Sequence, residues 1–329
     1  MARSRARLRR LPSSLLSVLA SSASGVKFSL SVFCVFVFFR ASIASAAGAN
    51  GLLLDAVLVK NDLIAIGERG AIIHSIDSGK SWENVPSPSM STLTSIAFSD
   101  DQLGWIVGHD GTILTTRDGG ATWTPQFNAK NKEVSFLSIA IIDAKRVFAV
   151  GSFGAFFSTS DGGHTWAEQK VLEGDPHLNG ATAVAHSQLY VAGEHGTLLR
   201  FADLGRHPSS IAPPYDGSFF GVLSLGRHER LAYGLRSHFY RSDDDGDHWE
   251  AVPAQPSALI ATVVRLKSGT LVAAGQARVF FVSHDAGHTF SVWKTSLTTA
   301  VSQLVEAPDG SLVAFGEAGA TRLVSPDSK

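Results

Sequence analysis

A stretch of eight residues, TRDGGATW ending at Trp123, returns along the chain at a nearly constant interval. Its aspartate recurs at intervals of 41, 43, 42, 41, 41 and 42 residues, at Asp77, Asp118, Asp161, Asp203, Asp244, Asp285 and Asp327. A glycine keeps the same period ten residues earlier, or eleven in the last unit, at Gly67, Gly108, Gly151, Gly193, Gly234, Gly275 and Gly316. Two markers with one period predict seven copies of a single structural unit.

Each of the first six units contains four short runs rich in apolar and β-branched residues, separated by Gly, Asp and Pro. In the second unit these runs are residues 93–98, 104–108, 112–116 and 122–127, which we name strands a, b, c and d. A four-stranded unit of about 40 to 45 residues is the signature of a propeller blade. We therefore expect an all-β fold, a seven-bladed β-propeller over residues 47–329.

The last unit leaves the closure of this ring open. Only two residues follow Asp327, so no run corresponding to strand d is seen there. A three-stranded last blade and a short N-terminal patch are both compatible with the pattern.

The repeated octet resembles the Asp-box, Ser-x-Asp-x-Gly-x-Thr-Trp, of bacterial neuraminidase repeats. The carboxylate can accept hydrogen bonds from the turn that follows it, and the glycine supplies the positive φ of that turn. The tryptophan is expected to enter strand d and to fill space between blades. We assign this structural role on the c–d turn to ten residues: Asp77, Asp118, Asp161, Asp203, Asp244, Asp285, Trp82, Trp123, Trp166 and Trp249.

The run SDDDGDHW superficially resembles a calcium loop. A helix–loop–helix calcium site needs a closing glutamate, and Ala254 stands at that position. We expect no metal, no cofactor and no catalytic residue.

The first 46 residues differ from the rest. They begin with five arginines, contain no acidic residue, and continue into the apolar run 28–39 and the small residues around Ala46. This is the pattern of a secretory signal, and we expect cleavage near Ala46 and export to a periplasm or lumen-like compartment; an uncleaved anchor is the alternative. The only cysteine, Cys34, lies in the apolar run. Phe33 precedes it where a lipoprotein signal has a small residue, which disfavours lipidation.

Removal of residues 1–46 takes away seven cations and moves the formal net charge from −1 to −8. An acidic exported domain is a poor binder of nucleic acid.

The b–c turns of a propeller share one face with the d–a loops, and their tips vary between units that otherwise repeat closely. Unlike the box aspartates, the side chains at these tips are not needed to form the turn. Variation on a fixed frame favours a partner-binding rim. The alternative is that these are ordinary solvated turn residues. The rim comprises Glu68, Arg69, His109, Phe153, Glu194, Arg236 and Glu317.

The segment GWIVGHDGTILTTRDGGATW, residues 104–123, repeats behind an export signal. This combination resembles the photosystem II assembly and stability factors, which are lumenal seven-bladed propellers. The resemblance implies a non-catalytic scaffold for a membrane-protein complex. It also implies an arginine-rich surface, whereas the arginines here are dispersed in sequence. The alternative functions are a sialidase-like glycoside hydrolase and a carbohydrate-binding propeller. A sialidase needs three clustered arginines and a tyrosine nucleophile assisted by a glutamate.

Overall fold

The computed structural model describes residues 51–128, 133–184, 187–203, 206–211 and 215–328. Twenty-seven strands in this part of the chain form seven antiparallel sheets, each built from strands consecutive in sequence. Blade 1 contains β1 (Leu53–Val59), β2 (Asp62–Gly67), β3 (Ile72–Ser75) and β4 (Glu83–Asn84). Blade 2 contains β5 (Leu93–Phe98), β6 (Gly104–Gly108), β7 (Thr112–Thr116) and β8 (Thr124–Asn128). Blade 3 contains β9 (Phe136–Ile141), β10 (Val147–Gly151), β11 (Phe156–Thr159) and β12 (Ala167–Glu168).

Blade 4 contains β13 (Leu178–Val184), β14 (Gln188–Gly193), β15 (Leu198–Phe201) and β16 (Pro208–Ser210). Blade 5 contains β17 (Phe219–Ser224), β18 (Arg230–Gly234), β19 (Phe239–Ser242) and β20 (Glu250–Val252). Blade 6 contains β21 (Ile260–Arg265), β22 (Leu271–Gly275), β23 (Phe280–Ser283) and β24 (Ser291–Trp293). Blade 7 has three strands among the described residues, β25 (Val301–Glu306), β26 (Leu312–Gly316) and β27 (Gly319–Leu323).

The sheets are arranged in a closed ring. Residues from the first strand of all seven blades line a central cavity of about 300 Å³. Seven apolar clusters lie between neighbouring sheets, one at each blade interface. The seventh cluster joins Leu53 and Leu63 of blade 1 to Val313 and Phe315 of blade 7. The prediction of a seven-bladed β-propeller is therefore confirmed.

The glycines that mark the period stand where two strands approach closely. Each ends a strand b and pairs with the first residue of strand a. A Cβ atom on Gly67 would lie 2.1 Å from the Leu52 carbonyl oxygen, and one on Gly151 would lie 2.0 Å from that of Ser135. Any side chain here would collide with backbone, so the repeat requires glycine for space.

Polar side chains on the innermost strands connect neighbouring blades. Asp55 accepts hydrogen bonds from the Ile96 N–H (2.9 Å) and the Ser95 hydroxyl (3.0 Å) of blade 2. On its other side it accepts one from Nε2 of Gln303 in blade 7, at 2.8 Å. Burial raises the pKa of the Asp55 carboxyl, and these hydrogen bonds oppose that rise. Asp55 thus spans three blades, including the interface between blades 7 and 1.

The boundaries of strand d differ from the prediction. Strand d of the second unit was expected over residues 122–127, but β8 begins at Thr124, directly after Trp123. The hydrogen bonds of the box turn hold residues 118–122, so pairing with strand c starts beyond them. In blade 4, strand d is the short segment Pro208–Ser210, which pairs with β15.

Candidate functional site: two faces of the ring

The c–d turns form one face of the ring, and their aspartates are bonded to the turn itself. Asp161 accepts hydrogen bonds from the Thr165 N–H (2.9 Å), the Thr165 hydroxyl (2.7 Å) and the Thr159 hydroxyl (2.8 Å). The Thr159 hydroxyl in turn accepts the Gly163 N–H at 2.9 Å. Gly163 has φ 86°, the left-handed conformation that glycine adopts without strain. The box side chains thereby connect the end of strand c to the start of strand d.

Two boxes use histidine in place of the hydroxyl residue. His207 Nδ1 lies 2.5 Å from Asp203 Oδ2, and His248 Nδ1 lies 2.6 Å from Asp244 Oδ2. The hydrogen bond with Asp244 raises the pKa of His248. Asp327 departs from the pattern, because its carboxylate accepts from Ser268 and Thr270 of blade 6. The last copy therefore joins two blades.

Acid should weaken the box turns. The hydrogen bonds from the hydroxyl and the N–H of Thr165 lower the pKa of Asp161 to about 2. Because this pKa lies below the unfolded value of about 3.9, the stabilisation is present above pH 4 and is lost as the pH falls toward 2. We expect the melting temperature of Asp161→Asn to fall less than that of the parent between pH 4.5 and pH 2.5. Parallel melting curves across that range would contradict this assignment.

The box aromatics pack between blades. Trp82 meets Phe315 of blade 7 edge-on, with ring centroids 5.7 Å apart, and Trp123 meets Phe98 at 5.9 Å. In blade 6 a phenylalanine takes this place, and Phe290 stacks on Phe239 of blade 5 at 4.1 Å. The c–d face is therefore engaged in holding the blades together.

The opposite face carries the seven b–c turns, residues 67–70, 108–111, 151–154, 193–196, 234–237, 275–278 and 316–319. In every turn the second residue donates its N–H to the carbonyl just before strand a of the same blade, at 2.9 to 3.2 Å. In four turns the fourth residue donates its N–H to the loop of the next blade; an example is Gly111 to Val134 at 2.7 Å. The backbone of all seven turns is therefore bonded within its own blade, and the backbone of these four is also bonded to the next blade.

The third residue of each turn points into solvent. Arg69, Phe153 and Arg236 have φ of 55°, 54° and 56°, and all three side chains are exposed. Left-handed backbone is unusual for such residues, and the turn holds them in it. Phe153 is 65% exposed although it is a large apolar side chain.

The structure places all seven predicted rim residues on this face but divides them into two groups. Glu68, His109, Glu194 and Glu317 are second residues, and Arg69, Phe153 and Arg236 are third residues. The expectation that the side chains at these tips have no structural role is wrong for two of them. Glu194 accepts the His177 N–H at 3.0 Å, and Glu317 accepts the Ala300 N–H at 3.3 Å. Sequence spacing could not distinguish these carboxylates from the others.

Aromatic side chains that sequence reasoning missed accompany the rim in blades 3 to 5. Phe153 meets the His177 ring edge-on, with centroids 5.1 Å apart. Tyr215 stacks on His238 at 4.3 Å, two residues from Arg236. Burial, and then the charge of Arg236, lower the pKa of His238. These rings come from d–a loops and strand starts, which carry no repeated marker.

The tyrosines do not match a sialidase nucleophile. Burial raises the pKa of all four tyrosines, to about 12 for Tyr233, whereas a nucleophile needs easier deprotonation. Tyr190 donates its hydroxyl to the Asp245 carbonyl at 2.8 Å. Among the residues that the structure describes, no three His, Cys, Asp or Glu side chains lie close enough to share a metal ion.

These features define a class: an Asp-box propeller with a structural c–d face and a variable b–c face. The sequence model of the family described as photosynthesis system II assembly factor YCF48 matches residues 74–137 and 126–328. The chain belongs to this family.

Individual relatives agree with this assignment, and a solved structure shares the fold. The chain is 50% identical over 50 residues to the chloroplastic photosystem II stability/assembly factor HCF136 of Cyanidioschyzon merolae, and 24% identical over 252 residues to the photosystem II assembly protein Ycf48 of Thermosynechococcus vestitus. These matches cover 15% and 75% of this chain but 11% and 60% of the relatives, less than two thirds of either. A solved structure, YCF48 bound to D1 peptide, superposes with a TM-score of 0.69 at 17% identity, covering 84% of this chain and 93% of that one. It is similar to this chain in fold.

Proposed function

We propose that the protein is an exported assembly factor that binds a protein component of photosystem II and catalyses no reaction. The match of the family model across residues 74–328 carries this proposal. In the solved structure of YCF48, that protein is bound to a D1 peptide, and D1 is therefore the partner to test first. The raised pKa values of the tyrosines give no support to the sialidase alternative.

The export signal over residues 1–46, with cleavage near Ala46, is part of this proposal. It lies outside the described residues. Within the described part of the chain, none of the helical segments is long and apolar enough to span a bilayer.

The partner is proposed to meet the b–c face. The box side chains on the other face are bonded to their own turns, while the third residues of the b–c turns are exposed on a fixed backbone. Arginine and aromatic residues are the types that contribute most to binding at protein interfaces. Arg69, Phe153 and Arg236 are therefore the residues we expect to contact the partner, ahead of Glu194 and Glu317.

The test measures binding of overlapping synthetic peptides that cover D1 to the full chain. The variant Arg69→Glu/Phe153→Ser/Arg236→Glu is expected to bind at least about tenfold more weakly, since one lost anchor is commonly worth a factor of that size. Its melting temperature should stay close to that of the parent, because these side chains are exposed.

A matched control changes one exposed apolar residue and two exposed arginines on the opposite face: Ile76→Ser/Arg117→Glu/Arg206→Glu. This variant should bind like the parent. Loss of binding in the control but not in the rim variant would show that the wrong face was chosen. If no D1 peptide binds the parent protein, the proposed partner is wrong.

A further inference from the structure

The interface between blades 3 and 4 lacks the aromatic ring that ends the box in five other blades. Each of those rings packs in the interface with the preceding blade: Trp82, Trp123, Trp166, Trp249 and Phe290. In each cluster the ring accompanies a strand b residue of that preceding blade: Val313, Ile64, Trp105, Tyr190 and Leu231. The box of blade 4 ends in Pro208, which is exposed. The equivalent strand b residue of blade 3, Phe148, therefore meets no such ring.

A second position at this interface holds a small residue. Ser158 of strand c pairs with Phe148. Its counterparts in the other blades are larger: His74, Thr115, Arg200, Arg241, Val282 and Arg322. The arginines among them reach the box of the next blade, as Arg200 does when it donates to the Asp245 carbonyl at 3.1 Å. A serine is too short for this contact, so space remains beside Phe148.

A cavity of about 310 Å³ occupies that space. Phe148, Ser158 and Gln169 of blade 3 line it, together with Arg206 of blade 4. Phe201, at the start of the same box, stacks on Phe156 at 5.2 Å and does not line the cavity. The volume lies at the lower end of the range for small-molecule sites.

The aromatic is the side chain with which a box fills its interface. In the described boxes the residue after the aspartate, the counterpart of Leu204, faces the a–b turn of its own blade, since a Cβ on Gly162 would lie 3.1 Å from the Ala144 carbonyl oxygen. The box glycine does face the preceding blade, and a Cβ on Gly120 would lie 2.5 Å from Cδ1 of Ile64. Glycine, however, has no side chain to place there.

The polar groups around the cavity are mostly hydrogen-bond donors. The Arg206 side chain is exposed, and no described residue forms an ion pair with its guanidinium. The Ser158 hydroxyl accepts from Nε2 of Gln169 at 2.6 Å, so its own O–H can donate to a ligand. Arg146 also lines the cavity and bonds to Asp143 through Nε and Nη2, which leaves Nη1. A guanidinium and hydroxyl donors are groups that bind a carboxylate.

We propose that this cavity binds a small aromatic carboxylate. The aromatic ring takes the place of the missing box aromatic beside Phe148, and the carboxylate accepts hydrogen bonds from Arg206 and the Ser158 hydroxyl. The site lies on the c–d side of the ring. It does not rest on the proposed function and concerns a different surface from the rim.

The probe is indole-3-acetate, added to the full chain and followed by calorimetry and amide NMR. It should bind at one saturable site, with chemical-shift changes centred on residues 158–160 and 167–169. Indole-3-ethanol has the same ring without the charge and should bind at least about tenfold more weakly, because it loses the charge-assisted hydrogen bonds. Equal affinities of the two compounds would overturn the assignment of a carboxylate.

The variant Pro208→Trp returns the missing ring to the box. It should reduce affinity for indole-3-acetate at least about tenfold and raise the melting temperature, because it fills the cavity. Ser158→Leu fills the cavity from blade 3 and should weaken binding similarly, which keeps the test valid if the tryptophan variant folds poorly. The matched control Ser291→Leu adds the same side chain to an exposed strand d and should bind like the parent. The proposal is overturned if the parent shows no saturable binding, or if both filling variants bind as the parent does. Neither outcome depends on D1 or on the rim.

Discussion

Truncation of Arg230 to alanine is expected to lower the free energy of unfolding by about 3 to 5 kcal/mol, the usual cost of removing one partner of a buried ion pair. Arg230 is fully buried between blades 4 and 5. Its Nη2 lies 2.5 Å from Asp245 Oδ1, its Nη1 donates to the Glu229 and Gly226 carbonyls at 2.8 and 3.0 Å, and the guanidinium lies over the Tyr190 ring. The alanine variant leaves the carboxylate and both carbonyls without this donor. Urea unfolding with fluorescence detection measures the loss.

A second variant separates the charge from the volume. In Arg230→Met/Asp245→Asn, an apolar chain of similar length replaces the arginine and the carboxylate is neutralised. We expect this double variant to be more stable than Arg230→Ala, because no uncompensated charge remains buried. An alanine variant as stable as the parent would show that the arginine adds nothing to the interface.

Replacement of Trp123 by alanine should cost about 3 to 5 kcal/mol, as large aromatic truncations in cores do. The ring is 5% exposed, packs edge-on against Phe98 and donates Nε1–H to the Gly120 carbonyl at 3.2 Å. It belongs to the cluster between blades 1 and 2, so its loss opens a cavity that the two sheets cannot fill. The melting temperature and the denaturant midpoint should both fall.

Trp123→Phe is the matched control. Phe290 holds the same position in blade 6 and stacks on its neighbour, which shows that a smaller ring can serve this interface. We expect the phenylalanine variant to retain most of the stability. A melting temperature of the alanine variant that matches the parent would mean that the ring does not support the interface.

The fold could be predicted because its requirements repeat. Backbone contact forces the glycine at Gly67 and its six counterparts in all seven blades. Turn amides that need an acceptor force the box aspartate in the first six blades. Seven copies make such a pattern visible in a single sequence. The hydrogen-bonded turns of the c–d face could therefore be predicted from the sequence.

The b–c face could be located from the sequence, but the hydrogen bonds of its individual side chains could not be predicted. Glu68 and Glu194 occupy the same turn position, yet whether such a carboxylate accepts a loop N–H, as Glu194 does, depends on how a neighbouring d–a loop approaches. The buried ion pair of Arg230 could not be predicted from the sequence either. Its partner Asp245 is fifteen residues away, in a position that the box motif leaves unspecified. A contact that occurs in only one blade produces no repeated pattern in the sequence.

The closure between blades 7 and 1 has a mechanical consequence. The other six interfaces are crossed by the chain itself, whereas this one is held, within the described residues, by side-chain contacts: Asp55 with Gln303, Arg322 with the Ser78 carbonyl, and Trp82 with Phe315. A pulling force applied at residues 51 and 328 would act directly across this interface. The ring should therefore open there first under load, and blade 7 should detach from blade 1 before any other pair separates.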